Sequence, residues 1–453
     1  MDLAFRRAMA AAQRSKDLCF AALLSEQCID QAFGDARELW QGWVYTPAVT
    51  VWVFLAQCLS RDHSCVDAVA QLIGWRLAAG RKACSAQTGA YCIARDQLPE
   101  ATCQALVRET GRSVVEEAPA DWLWLGRKVV AGDGSTLTMA DTAENQAEYP
   151  QMASQTPGCG FPIARIIVLF SLSVGTVLNA SIGRYQGKQT GETSLLRTIG
   201  DTLQPGDVYL ADRCFSGWCD MVLLHRRGVD SVIRKHQARP TDFRTGKRLG
   251  PDDHLVVVKK SERPSWMTRA EYDQLPATFT FREVRVRVTQ KGFRSREVIV
   301  VTTLLDPVKY PAEEIAKLYR RRWQAELHLR SLKIELQMDH LRCKKPHRVR
   351  NEFFMHLIAY NLIRRMIAIA ARQEGLEPWT VSFKGALQTL NQLLVALHTH
   401  VSAQDLCQAI LTAIASHSVG NRPNRFEPRV KKRRAKTYSL MIMPRAEYKR
   451  RVA

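Results

Sequence analysis

Four polar residues in the last third of the chain recur at helical spacing: Tyr319, Arg322, Glu326 and Lys333. At about 100° per residue they fall within roughly 60° of arc on one face of a helix, and Arg330 falls on the same stripe. One carboxylate among an aromatic ring and three cations is suited to a site that holds a metal ion and phosphate groups. The alternative is an ordinary surface helix with intrahelical ion pairs, such as Glu326 with Arg322 or Arg330.

The helix that carries these residues is expected to begin near Pro311 and to run to about Met338. Proline is favoured at the first helical turn, and Glu313 and Glu314 complement the positive end of the helix dipole. An adjacent apolar stripe would dock this helix on a core. The stripe consists of Leu318, Ala325, Leu329, Leu332 and Leu336.

Two aspartates follow short apolar runs that read as buried strands. Asp133 comes after residues 129–132, and Asp212 comes after Val208-Tyr-Leu-Ala. A charge at the end of a buried strand is costly without a partner, so the two carboxylates in neighbouring strands could hold a hard cation together with Glu326. Mg²⁺ prefers such oxygen ligands, and two ions could activate a water or a 3′-hydroxyl. Taken singly, each aspartate could instead be a turn residue or a helix cap.

The surrounding pattern predicts an α/β fold. Three strands, a helix, a strand and a helix succeed one another, which is the order of a ribonuclease-H-like core, although many α/β domains share parts of it. The expected strands are 129–131, 166–172, 176–182 and 208–211, and the expected helices are 193–203 and 218–227. The apolar stretch 166–180 is short for a membrane span and is interpreted as a hairpin of two buried strands.

We predict a mostly β insertion in this core, with helical regions at both ends of the chain. Pro47–Leu59 and 66–77 have helical periodicity, with Thr46 and Ser64 as expected N-caps. An amphipathic helix is expected over 351–371, and further helices over 387–400 and 403–414. The predicted division is 1–125, a helical DNA-binding region; 126–234, the first part of the core; 235–308, the β-rich insertion; 309–372, the second part of the core; and 373–453, a helical C-terminal region with a basic tail.

The composition favours a polyanionic partner. The chain has 65 Lys and Arg against 44 Asp and Glu, a formal charge of +21, which points to nucleic acid first and to an anionic membrane surface second. The 12 cysteines are scattered without zinc-binding spacing and read as reduced thiols of a cytosolic protein. No secretory signal is visible in the first sixteen residues.

These motifs together resemble a known family. The strand followed by Asp133-Gly-Ser-Thr, the segment Asp212-Arg-Cys-Phe, and the spacing Tyr319-x2-Arg322-x3-Glu326-x6-Lys333 are similar to those of bacterial insertion-sequence DDE transposases with the YREK signature, the IS-four family. The stretches 141–151 and 44–47 resemble the same family, and the resemblance runs from about residue 40 to about residue 370.

The resemblance implies that Asp133, Asp212 and Glu326 are the catalytic and metal-binding triad. It also implies that Tyr319, Arg322 and Lys333 contact the transposon DNA, and we add Arg330 from the same stripe. In one branch of the family an aromatic residue of the β insertion receives a flipped base. Trp266 is a candidate for that role, and the alternative is a packing tryptophan.

The implied reaction is Mg²⁺-dependent hydrolysis at the ends of a DNA element, with two ions and with Mn²⁺ as a substitute, followed by attack of the freed 3′-hydroxyl on target DNA. The implied partners are double-stranded DNA and a second copy of the chain, with no membrane, in the cytoplasm at the nucleoid. A nuclease without strand transfer and a noncatalytic DNA-binding protein are the alternatives. The basic tail could contact phosphates or remain a solvated segment, and the N-terminal region could recognise the element's ends.

Overall fold

The computed structural model describes residues 5–7, 9–11, 23–38, 40–287, 297–393, 401–420 and 439–452, and it is built around one mixed β-sheet. Its strands are β1 (Val129–Met139), β2 (Ile163–Ser171), β3 (Val177–Arg184), β4 (Val208–Ala211), β5 (Asp230–Arg234), β6 (Lys247–Gly250), β7 (Asp253–Lys259), β8 (Thr278–Arg287), β9 (Glu297–Thr302) and β10 (His340–Leu341). They are arranged in the order β3-β2-β1-β4-β5-β9-β8-β7-β6, and β10 pairs with β1.

Helices cover the sheet and fill the two ends of the chain. They are α1 (Glu26–Phe33), α2 (Pro47–Leu59), α3 (Cys65–Ala78), α4 (Gly89–Asp96), α5 (Glu100–Glu116), α6 (Ala143–Glu148), α7 (Glu192–Thr198), α8 (Trp218–Arg226), α9 (Arg269–Asp273), α10 (Ala312–Arg321), α11 (Trp323–Arg330), α12 (Pro346–Gln373), α13 (Phe383–Leu393), α14 (Ala403–Ser416) and α15 (Arg445–Val452).

The first half of the sheet has the ribonuclease-H-like order. β1, β2 and β3 pair antiparallel, β4 pairs parallel with β1, and β5 pairs parallel with β4. Helix α7 lies between β3 and β4 along the chain, and α8 lies between β4 and β5. The predicted α/β fold class with a ribonuclease-H-like core is therefore confirmed, and residues 166–180 lie in the predicted strand hairpin.

The β insertion extends the core sheet. β9 pairs antiparallel with β5, with Val232 opposite Thr302, and β8, β7 and β6 follow in turn. The buried guanidinium of Arg282 fixes this part: it forms an ion pair of 2.6 Å with Asp253 and donates to the Tyr310 carbonyl at 2.7 Å. The predicted insertion therefore contains four strands that share backbone hydrogen bonds with the core.

Helix α12 is the central helix of the protein, and its predicted amphipathic character is wrong. Nearly every side chain from Val349 to Ala371 is buried. One face of α12 contacts β3, and another contacts the N-terminal helices α2 and α5, so there is no solvent face to carry polar residues. By length and composition it could cross a membrane, but 94% of its most apolar window is buried inside the protein.

The N-terminal helices belong to the same hydrophobic core as the sheet. Their buried residues pack in one continuous cluster with β1 and α12. Thr46 and Ser64 cap α2 and α3 as predicted, because their hydroxyls accept from the Val49 and Asp67 amides at 3.3 and 3.0 Å. The region thus has a fixed position relative to the sheet.

The C-terminal region is helical where it is described. The helix predicted over 387–400 corresponds to α13, which begins earlier at Phe383, and residues 394–400 lie outside the described ranges. The helix predicted over 403–414 is α14. The basic tail predicted to contact phosphates falls mostly in residues 421–438, which also lie outside the described residues.

Asn361 joins three elements and gives a first prediction. Its Nδ2 donates to the carbonyls of Val107 on α5 and Val177 on β3 at 3.1 and 2.9 Å, while its Oδ1 accepts from the Val177 amide at 2.7 Å. Asn361→Ala leaves these buried groups unpaired, so we expect a loss of about 3 kcal/mol of stability and a clearly lower Tm in a thermal melt. Asn391→Ala is the control, since Asn391 is exposed and makes one bond, to Leu59. Equal melting of both variants would contradict the role of Asn361.

Candidate active site

Asp133 lies in the middle of β1. The strand was predicted to end at Asp133, and this is wrong, because β1 continues for six residues to Met139. Gly132 and Gly134 look like turn residues in the sequence, but residues 130–138 all pair with β2, and Thr138 and Met139 also pair with β10. Backbone hydrogen bonds to neighbouring strands therefore override the local turn preference of glycine and aspartate.

Asp212 directly follows β4, as predicted. β1 and β4 pair in parallel with Ala131 opposite Leu210. Extending this register by two residues places Asp133 opposite Asp212, whose backbone is still extended. Neighbouring strands are about 4.8 Å apart, and residues two apart on a strand share a face. The two carboxylates therefore begin side by side on the same face of the sheet.

Glu326 lies on α11, which packs on that face. Ala325 and Leu329 belong to the same core cluster as Ala131 and Leu210. The predicted stripe of Leu318, Ala325, Leu329, Leu332 and Leu336 is buried throughout. Across the turn of the helix, Nη2 of Arg322 forms an ion pair of 2.7 Å with Oε1 of Glu326. This is the intrahelical pair considered from the sequence, and it lies beside the two aspartates.

The helix predicted over 311–338 is divided into three consecutive helical segments. α10 ends at Arg321, α11 begins at Trp323, and a short π-helix, Ser331–Glu335, follows. Lys333 lies in this π-helix, and its Nζ donates to Ser135 Oγ at 3.1 Å and to the Thr136 carbonyl at 2.9 Å. π-Helical turns occur often at functional sites. Here the turn directs a cation onto β1 next to the aspartates.

The four residues expected to contact DNA have different surroundings. Tyr319 is buried, and burial raises its pKa to about 12. Arg322 and Lys333 are half-buried and bonded to the protein as described above. Arg330 is exposed, and among the described residues no acidic side chain forms an ion pair with it. Of the four, Arg330 presents the most accessible charge.

The Asp133 carboxyl is crowded by other charges. Its pKa is raised from 3.8 to about 6, mainly by burial: the positive charge of Arg322 and the Gly134 amide lower the pKa, and the negative charges of Glu326 and Glu192 raise it. The Gly134 N–H donates to Asp133 Oδ1 at 3.0 Å. A cation bound near these carboxylates would offset their mutual repulsion.

The donor set fits a hard divalent cation in its chemistry. Asp133, Asp212 and Glu326 offer only carboxylate oxygens, the ligand type of Mg²⁺. In the described part of the chain, however, no three His, Cys, Asp or Glu side chains already lie close enough together to hold a metal ion. Glu326 is held by Arg322, so it would have to exchange this ion pair for the cation.

One residue near the triad was missed from the sequence. Glu192, at the start of α7, lies against Gly134, and its charge acts on Asp133. No motif marks it, since a Gly-Glu before a helix is common, and only the proximity of β1 to α7 reveals it.

Trp266 is half-buried against the hydrophobic core, and the Arg197 guanidinium covers its ring at 3.8 Å. These contacts favour the packing tryptophan over a base-receiving one.

Comparison of this chain with known proteins identifies the family to which it belongs. A model of the transposase DDE domain matches residues 124–362, more than half of the chain. This chain belongs to the DDE transposase family. It is 27% identical over 283 residues to transposase InsG of insertion sequence element IS4 from Escherichia coli strain K12, spanning 60% of each protein. The predicted kinship with the IS-four transposases is thereby confirmed.

Two further similarities are more limited. The chain is 39% identical over 69 residues to the putative transposase InsL of IS186A from Escherichia coli strain K12, which is 15% of this chain and 19% of that protein. The chain thus spans 60% or less of the length of these relatives. A piggyBac transposase synaptic complex with hairpin DNA superposes with a TM-score of 0.42 and 10% identity, over 89% of this chain and 86% of that one.

The pKa of Asp133 generates a prediction about pH and stability. The Asp133 carboxyl binds its proton more tightly in the folded protein than in the unfolded chain. The free energy of unfolding therefore falls as pH rises from about 4 to 6, and it stays lowered above that range. Asp133→Asn removes the cost of ionising this buried carboxyl. We expect the metal-free variant to melt at least about 2 °C above the wild type near pH 7.5, with the difference lost near pH 4.

The control is Asp339→Asn, at an exposed aspartate outside the cluster. Its Tm should follow that of the wild type at both pH values. Melting curves with a chelator present make the comparison. If Asp133→Asn melts at or below the wild type near neutral pH, the crowding of charge around Asp133 does not exist in solution.

Proposed function

We propose that this protein is a transposase that cuts the ends of a DNA element by metal-dependent phosphodiester hydrolysis and joins the freed 3′-hydroxyl ends to target DNA. The observation that carries the proposal is the parallel register of β1 and β4, which aligns Asp133 with Asp212 beneath the helix of Glu326. Membership of the DDE transposase family supports the same triad. In this proposal the three carboxylates are the catalytic, metal-binding residues.

The proposed cofactor is Mg²⁺, as two ions, with Mn²⁺ as a substitute. When bound, such ions supply a nucleophile of lowered pKa and neutralise charge on the leaving oxygen. The protein's own part is to align Asp133 and Asp212 through the sheet and to bring Glu326 to them on a packed helix. Arg322 neutralises Glu326 until a cation takes its place, which limits the repulsion in the metal-free protein.

The basic residues around the triad would hold the phosphate backbone. Arg330 is exposed at the end of α11, one turn beyond Glu326. Arg322 would contact a phosphate once Glu326 is released, whereas Tyr319 and Lys333 would mainly fix the positions of the helix and β1. The charge of +21 supports double-stranded DNA as the partner. We place the N-terminal region, 1–125, in recognition of the element's ends.

The assembly and location follow from the proposed reaction. Two element ends must be joined to one target, so a homodimer with both ends bound is expected. A protein acting on chromosomal DNA would be in the bacterial cytoplasm, at the nucleoid, without a membrane. The burial of α12 inside the protein supports its role as a core helix.

Two alternatives remain distinguishable. A nuclease with the same triad would cut DNA without joining it, and a noncatalytic DNA-binding protein would do neither. Purified protein is incubated with labelled element ends and a target plasmid, with and without Mg²⁺. Joined product requires the transposase, cut ends alone identify the nuclease, and binding without cleavage identifies the noncatalytic protein.

The same assay tests the triad. Asp212→Asn and Glu326→Gln keep side-chain shape but remove one carboxylate, so we expect cleavage to fall by about 1000-fold or more while binding to element ends remains. Asp339→Asn serves again as the control and should cleave like the wild type. Cleavage by Glu326→Gln at wild-type rate would refute the role of this carboxylate.

Arg330 permits a quantitative test of DNA contact. If its guanidinium neutralises one phosphate, Arg330→Ala should reduce the slope of log K against log salt by about 0.9. The control is Arg372→Ala, which removes an exposed arginine near the end of α12. Arg372 lies about 12 Å further along this helix than Arg364, and it is Arg364 that contacts the turn between β2 and β3. Fluorescence anisotropy at several salt concentrations gives both slopes. An unchanged slope for Arg330→Ala would remove Arg330 from the interface.

A further inference from the structure

The sheet has a gap at the candidate site. β4 ends at Ala211, opposite Gly132, and β10 begins opposite Thr138. Among the described strands, none pairs with this edge of β1 between these points. The backbone of Gly134 lies in the gap, and its N–H donates to Asp133. The gap therefore opens the site to groups on the opposite face of the sheet.

Glu192 reaches this gap from the opposite face. Its helix, α7, packs through Leu195 into the core cluster of Tyr209, on the other side of the sheet from Ala131. The Glu192 carboxylate lies so close to Gly134 that a methyl group there would collide with its Cδ and Oε1 atoms. A side chain at position 134 would therefore displace the Glu192 carboxylate, although the backbone conformation there is that of an ordinary strand.

The same carboxylate also lies beside the second aspartate. Cys214, two residues after Asp212, is 3.9 Å from Glu192 Oε2 through its Sγ. The charge of Asp212 raises the pKa of Glu192, after the larger effect of burial and against the positive charge of Arg165. Glu192 is therefore placed between the residue that follows Asp133 and the turn that follows Asp212.

Burial makes this position costly for a carboxylate, and the positive charge of Arg165 offsets only part of that cost. Glu192 is half-buried, and within the described ranges no Lys, Arg or His lies within ion-pair distance of it. A glutamine would fill the same space without adding a third negative charge near Asp133 and Asp212. A half-buried charge without an ion-pair partner costs stability, so the acid is explained if a cation offsets that cost.

We propose that Glu192 is a fourth acidic residue of the metal centre, which draws the divalent ions to Asp133 and Asp212 and orients their bound waters through the gap at Gly134. This inference rests on the proposed function. Glu192 approaches Gly134 from the face of the sheet opposite to that of Asp133 and Asp212. Glu192 is therefore assigned outside the coordination shell, as a positioning residue that accepts hydrogen bonds from waters of the ions.

Mn²⁺ binding to the full-length protein tests the assignment without measuring activity. Free Mn²⁺ is followed by electron paramagnetic resonance during titration of wild type, Glu192→Gln, Gly134→Ala and the double variant. Outer-shell residues contribute about 10-fold or more to metal affinity, so Glu192→Gln should weaken binding by about 10-fold. Gly134→Ala should weaken it similarly, because the added methyl group displaces the Glu192 carboxylate. The double variant should bind no more weakly than either single one.

Two controls separate the possible failures. Glu313→Gln removes an exposed carboxylate in the first turn of α10, about 20 Å along the helices from Glu326, and should leave Mn²⁺ affinity unchanged. Asp212→Asn should weaken binding strongly. If Asp212→Asn weakens Mn²⁺ binding while the Mn²⁺ affinity of Glu192→Gln stays within about twofold of the wild-type value, the inference is wrong. Glu192 then serves only to balance the charge of Arg165. If Asp212→Asn has no effect, the metal centre itself is refuted.

Discussion

The parallel pairing of β1 with β4 is the constraint on which the site depends. Asp133 and Asp212 are distant in the chain, and only the register that sets Ala131 opposite Leu210 places them side by side. A shift of one residue would turn one aspartate to the opposite face of the sheet, where the core cluster of Tyr209 lies. β1 and β4 are each held by a second neighbour as well, since β2 pairs with β1 over nine consecutive residues and β5 pairs with β4 from Val208 to Ala211.

The ion pair of Arg322 with Glu326 partly neutralises a site that is crowded with carboxylates. Burial and neighbouring carboxylates raise the pKa of Asp133 to about 6, so this carboxyl holds a proton more tightly than an aspartate in the unfolded chain. The Arg322 guanidinium, 2.7 Å from the Glu326 carboxylate, limits this repulsion. Stability and function are thus in conflict here, as is common at active sites.

The sequence could predict the parts of the fold that depend on local signals. The capped helices α2 and α3, the strand before Asp212 and the β insertion all carry such signals in composition and spacing. It could not predict that β1 continues past Asp133, since hydrogen bonds to β2 and β10 decide this. The complete burial of α12 and the approach of Glu192 to Gly134 were equally invisible, because each depends on elements far away in the chain.

The insertion is coupled to the site because it is joined by strand pairing. Val232 and Arg234 of β5 pair with β9, and β5 pairs directly with β4, the strand that ends at Asp212. The Arg234 charge also acts on Tyr319 of the glutamate helix. A lobe on a flexible linker could reorient freely, whereas strands that share backbone hydrogen bonds move together. The sheet therefore holds the insertion in a fixed position relative to Asp212.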